Sequence, residues 1–100
     1  MSIYVVAQVH IKDKERFLEY QNTALPFLEE KQVEVLAVDD SPTTIEGEET
    51  SNRMAILRFD NREAFDAFWE SAEYQEMAKI RFESADATIN LLQEANILIQ

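Results

Sequence analysis

The chain shows the same order of hydrophobic spacing twice, and this order limits the folds it can adopt. Alternating apolar residues predict strands at 3–11, 33–38, 53–60 and 87–94, because successive side chains of a strand point to opposite faces. Apolar residues at three- and four-residue spacing predict helices after the first and third strands. The order β-α-β, polar loop, β-α-β is typical of a ferredoxin-like α+β domain. We expect a four-stranded antiparallel sheet with the helices on one face.

Polar residues mark the expected starts of the first two helices. Asp13 is placed to cap a helix that begins at Lys14. Asp60 or Asn61 is placed to cap the next one. With Asp60 as the cap, Glu63 would stand three residues further on, as it does in a capping box.

Length and charge exclude several classes of function. One hundred residues are about one domain, so we expect a single domain over 1–100. The net charge of −11 repels phosphate backbones and anionic lipids, so neither nucleic acid nor a membrane surface is an expected partner. The ten aromatic residues favour a folded chain over a disordered one.

The absence of cysteine removes disulfides, thiolate nucleophiles and zinc–thiolate sites together. This composition fits a reducing cytoplasm, which is the expected location. The first residues lack a basic segment before their apolar run, and no apolar stretch is long enough to span a bilayer. We therefore expect neither secretion nor membrane insertion.

One face of the predicted sheet needs a cover. If Phe59 points to the helices, the opposite face mixes apolar and polar side chains. Its expected members are Tyr4, Val6, Gln8, His10, Met54, Ile56, Arg58, Thr88, Asn90 and Leu92. Sheet faces that are left to water are mostly polar. A second copy of the sheet would cover this face, so we expect a homodimer in which two sheets form a barrel.

Several short motifs occur here in a recognisable order. They are Glu46-Gly47 before the third strand, Phe59 at its end, Ser71-Ala72-Glu73-Tyr74, and Arg81. In this order the chain resembles domain of unknown function family 1330, within the dimeric α/β-barrel superfamily. Asp13 and Tyr20 also match positions of that family.

The chain departs from the family at one turn. The family has a Gly-Gly pair before its second strand, where this chain has Lys31-Gln32. The turn is therefore expected to be built differently. A ligand that needs close approach to a glycine backbone would lose that contact.

The resemblance leaves the reaction open. Related families include cofactor-independent monooxygenases, haem-degrading enzymes and lactone isomerases, and a fold alone does not choose among them. Haem-degrading relatives use a histidine in the helical region, and this chain has none there. We expect no cofactor and no metal. The single glycine cannot form a phosphate-binding loop, and the acidic loop at 46–49 matches no calcium signature.

Tyr74 and Arg81 form the main candidate site. They are seven residues apart, which places both on one face of a helix predicted over 73–84. The resemblance suggests Glu46 as the carboxylate partner of Arg81. This pair either staples the loop to the helix or faces a cavity and binds a small polar ligand. Trp69 is expected in the core, and Ser71 is expected to cap the helix.

His10 and Arg58 are the remaining candidates. Both are expected on the far face of the sheet, and His10 or Arg58 is expected to line the ligand cavity. His10 is the only histidine and the only evident general base. The leading hypothesis is a dimer that binds a small organic molecule beneath each sheet, and as an enzyme it would oxidise or isomerise an acidic substrate without a cofactor. The alternative is a non-catalytic interaction module in which the Glu46–Arg81 contact is only structural.

Overall fold

The fold is that of a ferredoxin-like α+β domain. The computed structural model describes residues 1–50 and 52–95. Its elements in chain order are β1 (Ile3–Ile11), α1 (Lys14–Glu30), β2 (Glu34–Asp39), β3 (Arg53–Phe59), α2 (Arg62–Trp69), α3 (Ala72–Ser84) and β4 (Ala85–Gln93). The predicted element order and fold class are confirmed.

The strands form one antiparallel sheet in the order β2-β3-β1-β4. β1 is therefore a central strand, and it pairs with β3 on one side and β4 on the other. Opposite Val5 lie Leu57 of β3 and Leu91 of β4. Side chains at such paired positions share a face of the sheet, so this register sets which residues meet the helices.

The two faces carry the residues that the alternation predicts. Ile3, Val5, Val9 and Phe59 are buried on the helix-facing side. On the far side, Tyr4 lies opposite Arg58 and Leu92. Two residues on, Val6 lies opposite Ile56 and Asn90 on the same face. Several apolar residues of this far face remain partly exposed, including Ile56 at 36% and Leu92 at 53%.

The core beneath the sheet is mainly aromatic. The Phe68 ring lies 5.4 Å from Phe59, 5.3 Å from Phe27 and 4.8 Å from Tyr74, measured between ring centroids. Phe59 also meets Phe65 edge-on at 5.2 Å. Such tilted and edge-to-face pairs add to the free energy gained from burial. This cluster holds α2 and the start of α3 against the sheet.

All three helices begin at side-chain caps. Asp13 accepts a hydrogen bond from the backbone N–H of Arg16, and Ser71 accepts one from that of Tyr74. At α2 the cap is Asn61, which accepts from the N–H of Ala64. The capping box based on Asp60 is therefore wrong, because Glu63 lies only two residues after the actual cap.

β4 begins earlier than predicted. It starts at Ala85, directly after α3, rather than at residue 87, because Ala85 is already extended and pairs with Ile11. The carbonyl of Ser84 accepts hydrogen bonds from the backbone N–H groups of Lys12 and Asp13, at 2.8 and 3.0 Å. The end of α3 is thus tied to the start of α1.

The turn from α1 to β2 uses a non-glycine residue in the left-handed region. Gln32 has φ of 60°, and its N–H donates to the carbonyl of Glu29. The N–H of Val33 donates to the carbonyl of Leu28. These two bonds form a Schellman motif, in which glycine is the usual left-handed residue. Gln32 thus adopts a conformation that costs a side chain energy.

No helix in the described residues is long and apolar enough to cross a bilayer.

We expect Gln32→Gly to raise the free energy of unfolding by about 0.5–1 kcal/mol, because glycine relieves the left-handed strain. The matched control is Lys31→Gly, since Lys31 has an ordinary φ of −87°. This control should lower stability, because it adds freedom to the unfolded chain and removes the Lys31 Nζ that lies 5.4 Å from the Phe27 ring centroid. Urea unfolding measures both variants. Equal destabilisation by the two would show that Gln32 is not strained.

Candidate ligand-binding site

A cavity of about 340 Å³ lies between the sheet and the helices. Small and medium-sized apolar side chains of β1 and β3 form its floor: Val5, Ala7, Val9, Ala55 and Leu57. Aromatic side chains and α1 form the other walls. The volume is at the small end of the range for organic ligands, and the apolar lining is usual for such sites.

Arg81 lies in the wall of this cavity. The residue is only 6% exposed, and its Nε has no hydrogen-bond partner among the described residues. It also forms no ion pair with them. Its Cζ lies 5.9 Å from the ring centroid of Tyr20 and 5.7 Å from that of Trp69, so aromatic faces provide partial compensation. A buried guanidinium without a carboxylate is an unusual and costly arrangement.

Two tyrosine hydroxyls meet beside Arg81. The Oη atoms of Tyr20 and Tyr74 are 2.8 Å apart, so one hydroxyl donates to the other. Burial raises the pKa of Tyr20 well above its usual range, and the neighbouring Tyr74 acts in the same direction. The charge of Arg81 opposes this rise only in part. Tyr20 is therefore protonated at neutral pH, so its hydroxyl keeps a hydrogen to donate and does not act as a base.

Arg53 lies at the rim of the cavity. It also borders an outer cleft near the end of β1 that contains His10 and Lys14. Unlike Arg81, Arg53 is already paired: its guanidinium forms an ion pair with Asp40 and donates to Gln21 at 2.5 Å. It further stacks on the Phe17 ring. Its charge is therefore balanced within the chain.

The structure brings only two of the predicted site residues together. Tyr74 and Arg81 are both buried on one face of α3, as their spacing predicts. Glu46 is instead exposed in the loop between β2 and β3, and it forms no ion pair with Arg81 in the described chain. The predicted Glu46–Arg81 contact does not occur in the structure as described, since Glu46 lies in solvent and Arg81 is buried.

His10 and Arg58 lie on the opposite face of the sheet from Arg81. Arg58 faces Tyr4 in the register, six residues along β1 from His10, which corresponds to about 20 Å. Arg58 is held by Ser2, Glu34 and Asp60, and His10 Nδ1 lies 3.2 Å from Asn52 Oδ1. Neither side chain lines the inner cavity, so placing them there was wrong.

Tyr20 and Arg53 are the site residues that the sequence reasoning missed. In the sequence, Tyr20 stands out only as a position that matches the family. Its hydroxyl partner is 54 positions away in the chain, and no local pattern shows that contact. The alternation of β3 places Arg53 on the helix-facing side with Ala55 and Leu57, and this alternation can be read from the sequence.

The remaining candidates have structural contacts. Trp69 is half-buried, stacks on Phe65 at 5.5 Å and also lines the cavity. Ser71 is the cap of α3, as predicted. In the part of the chain that the structure describes, no three His, Asp or Glu side chains come together as metal ligands.

The fold defines a ferredoxin-like α+β domain. The chain belongs to the family described as Domain of unknown function (DUF1330), whose model matches residues 2–95. No curated protein sequence matches the chain.

Solved structures with the same fold share little sequence with this chain. A protein of unknown function from Rhodopseudomonas palustris is 16% identical with a TM-score of 0.77, and the match covers 96% of this chain and 84% of that one. SnoaB, a cofactor-independent oxygenase from Streptomyces nogalater, is 10% identical with a TM-score of 0.67 over 99% and 98% of the two chains. A putative antibiotic biosynthesis monooxygenase from Caulobacter crescentus is 11% identical with a TM-score of 0.65 over 95% and 91%. These likenesses establish the fold.

We expect Arg81→Met to raise the free energy of unfolding of ligand-free protein by about 1–2 kcal/mol, because it replaces a buried, unpaired charge with an apolar chain of similar length. Arg62→Met is the matched control, because it removes the same charge from an exposed position. This control should stay within about 0.5 kcal/mol of wild type. A loss of more than about 2 kcal/mol in Arg81→Met would show a structural role for the guanidinium.

We expect the free energy of unfolding to fall at alkaline pH because of the raised pKa of Tyr20. The unfolded chain releases this proton near the ordinary pKa of 10.0, while the folded chain retains it to higher pH because its pKa is raised. Stability from Tyr20 is therefore complete below pH 10 and falls as pH rises above it, by about 1.4 kcal/mol per pH unit. Tyr20→Phe should lack this decrease. Urea unfolding at about pH 9 and about pH 11 tests it, and an identical pH dependence in both proteins would contradict it.

Proposed function

We propose that this protein binds a small organic molecule in the cavity between its sheet and its helices. Arg81 and Tyr74 contact the polar group of the ligand, and Tyr20 supports Tyr74. The observation that carries this proposal is the buried guanidinium of Arg81, which lies in an apolar cavity without a protein carboxylate. A buried polar group without a partner calls for an explanation, and a ligand that completes its interactions supplies one.

A catalytic form of this function is cofactor-independent oxidation or isomerisation. The similarity of fold to SnoaB, a cofactor-independent oxygenase, favours this class. The described residues that line the cavity include no His, Asp or Glu, so a substrate proton has no evident acceptor there. Arg81 and the tyrosine hydroxyls instead stabilise negative charge on oxygen. Such a site acts on a substrate that is already anionic at neutral pH.

The alternative is a non-catalytic interaction module in which Arg81 only staples the fold. That function needs a carboxylate on Arg81, and Glu46 was the residue expected to supply it. Glu46 is exposed and separate from Arg81 in the chain as described. The alternative therefore lacks the contact on which it was based, and ligand binding has the better support.

We also propose that the protein is a cytoplasmic homodimer. The far face of the sheet carries Tyr4, Val6, Met54, Ile56 and Leu92 in register, interspersed with polar residues. A second copy of this face would bury these apolar side chains in a two-fold interface. The dimeric α/β-barrel character of the structural neighbours supports this arrangement. The lack of cysteine supports the location.

Native mass spectrometry of the purified protein tests the proposed function. The expected species is two chains with a small molecule retained in each, and its mass starts the identification of the ligand. Arg81→Met should purify without the ligand and still form the dimer. A wild-type dimer that carries no small molecule, and that binds none from a set of aromatic and aliphatic fragments, would contradict ligand binding.

Paired charge insertions test the dimer in the same experiment. Ile56→Glu places a carboxylate on the far face of the sheet and should give monomers, because burying an unpaired charge is costly. Leu18→Glu makes the same chemical change at an exposed site on α1 and should remain dimeric. Monomeric wild-type protein would overturn the proposed assembly but not the ligand site.

A further inference from the structure

The side chains that line the cavity carry more positive than negative charge. Its lining contains two guanidinium groups, those of Arg53 and Arg81, and the described lining residues include no carboxylate. Arg53 is balanced by Asp40 from outside the lining. Among the described residues, Arg81 has no such partner. The cavity therefore holds one uncompensated positive charge, which one negative charge on a ligand would neutralise.

The polar groups at this point are the Arg81 guanidinium and the two tyrosine hydroxyls, and all three carry donor hydrogens. The guanidinium of Arg81 has only N–H donors, and it matches the two oxygens of a carboxylate geometrically. Of the two hydroxyl hydrogens in the Tyr20–Tyr74 pair, one is used within the pair and the other is free to donate. Because Tyr20 stays protonated at neutral pH, the pair adds a donor beside Arg81. This set of donors fits an oxyanion and offers little to a cationic group.

The rest of the cavity favours a flat apolar body. Trp69, Phe65 and Tyr74 present ring surfaces to it, and aliphatic side chains of the sheet form the opposite floor. Aromatic rings pack well against such surfaces in offset or tilted arrangements. A cavity of about 340 Å³ has room for a compact ring system and not for a long chain.

The overall charge of the protein limits the charge of the ligand. With a net charge of −11, the protein repels anions at long range. A single buried guanidinium can offset this for one negative charge. A second charge on the ligand would remain unpaired in an apolar cavity. The arrangement therefore selects against dianions.

We propose that the ligand is a compact aromatic monocarboxylate, whose carboxylate binds Arg81 and the Tyr20–Tyr74 hydroxyl pair while its ring fills the apolar cavity. This inference rests on the proposed function, because it specifies the ligand of the same site. It adds the charge, the charged group and the shape of the ligand.

Calorimetric titration with three matched probes tests the inference. The probes are 2-naphthoate, its neutral analogue 2-naphthamide, and the dianion 2,6-naphthalenedicarboxylate. For dialysed wild-type protein we expect 2-naphthoate to bind at least about 10-fold more tightly than either of the others, as a charge-assisted hydrogen bond implies. In Arg81→Met the preference over 2-naphthamide should disappear. In Arg62→Met it should persist.

A second variant guards against misfolding of the first. Arg81→Lys keeps the charge but loses the planar fork, so it should bind 2-naphthoate about 10-fold more weakly and still prefer it to the amide.

The outcomes separate this inference from the proposed function. If 2-naphthamide binds wild type as tightly as 2-naphthoate, or if Arg81→Met keeps the preference, the cavity is a binding site but its ligand is not selected by the charge of Arg81. If the dianion binds wild type as tightly as 2-naphthoate, the inference that the ligand carries a single negative charge is wrong. If no probe binds wild type at concentrations up to about 5 mM, where even a weak complex forms, the inference is wrong. The proposed site is then judged separately, by the retained small molecule and the fragment set.

Discussion

The central position of β1 determines how the rest of the molecule is arranged. β1 is hydrogen-bonded on both edges, to β3 and to β4, so its alternation sets the two faces of the sheet at once. A slip by one residue would turn Val5 and Val9 outward and bring polar neighbours inward. The same register puts Arg53 on the face with the cavity and Arg58 on the face without it. The chemistry of each face follows from this pairing.

Beneath that sheet, Arg81 costs more free energy to bury than the apolar and hydrogen-bonded groups around it. Most buried groups here are apolar or form ordinary hydrogen bonds, as Ser84 does with the carbonyl of Ile80. Arg81 is buried beside rings that attract a cation but do not replace its lost hydration fully. An apolar residue of similar size would pack there at lower cost. The arrangement makes physical sense if an anion enters the cavity and completes the site.

The sequence was sufficient for features that depend on periodicity. Alternation in β1 and β3 predicted which residues share a face, and the seven-residue spacing of Tyr74 and Arg81 predicted that both lie on one side of a helix. Caps were also readable, because Asp13 and Ser71 stand immediately before apolar helical stripes. At α2 two adjacent candidates competed, and only the structure shows that Asn61 is the cap.

Features that depend on contacts distant in sequence were not readable. Alternation assigns His10 and Arg58 to one face, but their separation follows from the register of β1 and β3. The meeting of the Tyr20 and Tyr74 hydroxyls depends on how α1 packs on α3. Glu46 was paired with Arg81 by resemblance, and nothing local indicated that its loop stays in solvent. Gln32 was not readable for another reason. Its backbone lies in the left-handed region that suits glycine, although the residue is a glutamine.

The most direct measurement of the central claim is the NMR signal of the Arg81 Nε–H group, assigned by its loss in Arg81→Lys. During titration with 2-naphthoate we expect this signal to shift progressively to saturation, because the carboxylate takes up a donor that has no partner among the residues described. The Nε–H signal of Arg58, on the other face of the sheet, should stay in place. An Arg81 signal that does not move while 2-naphthoate binds would show that the guanidinium is not the anion contact.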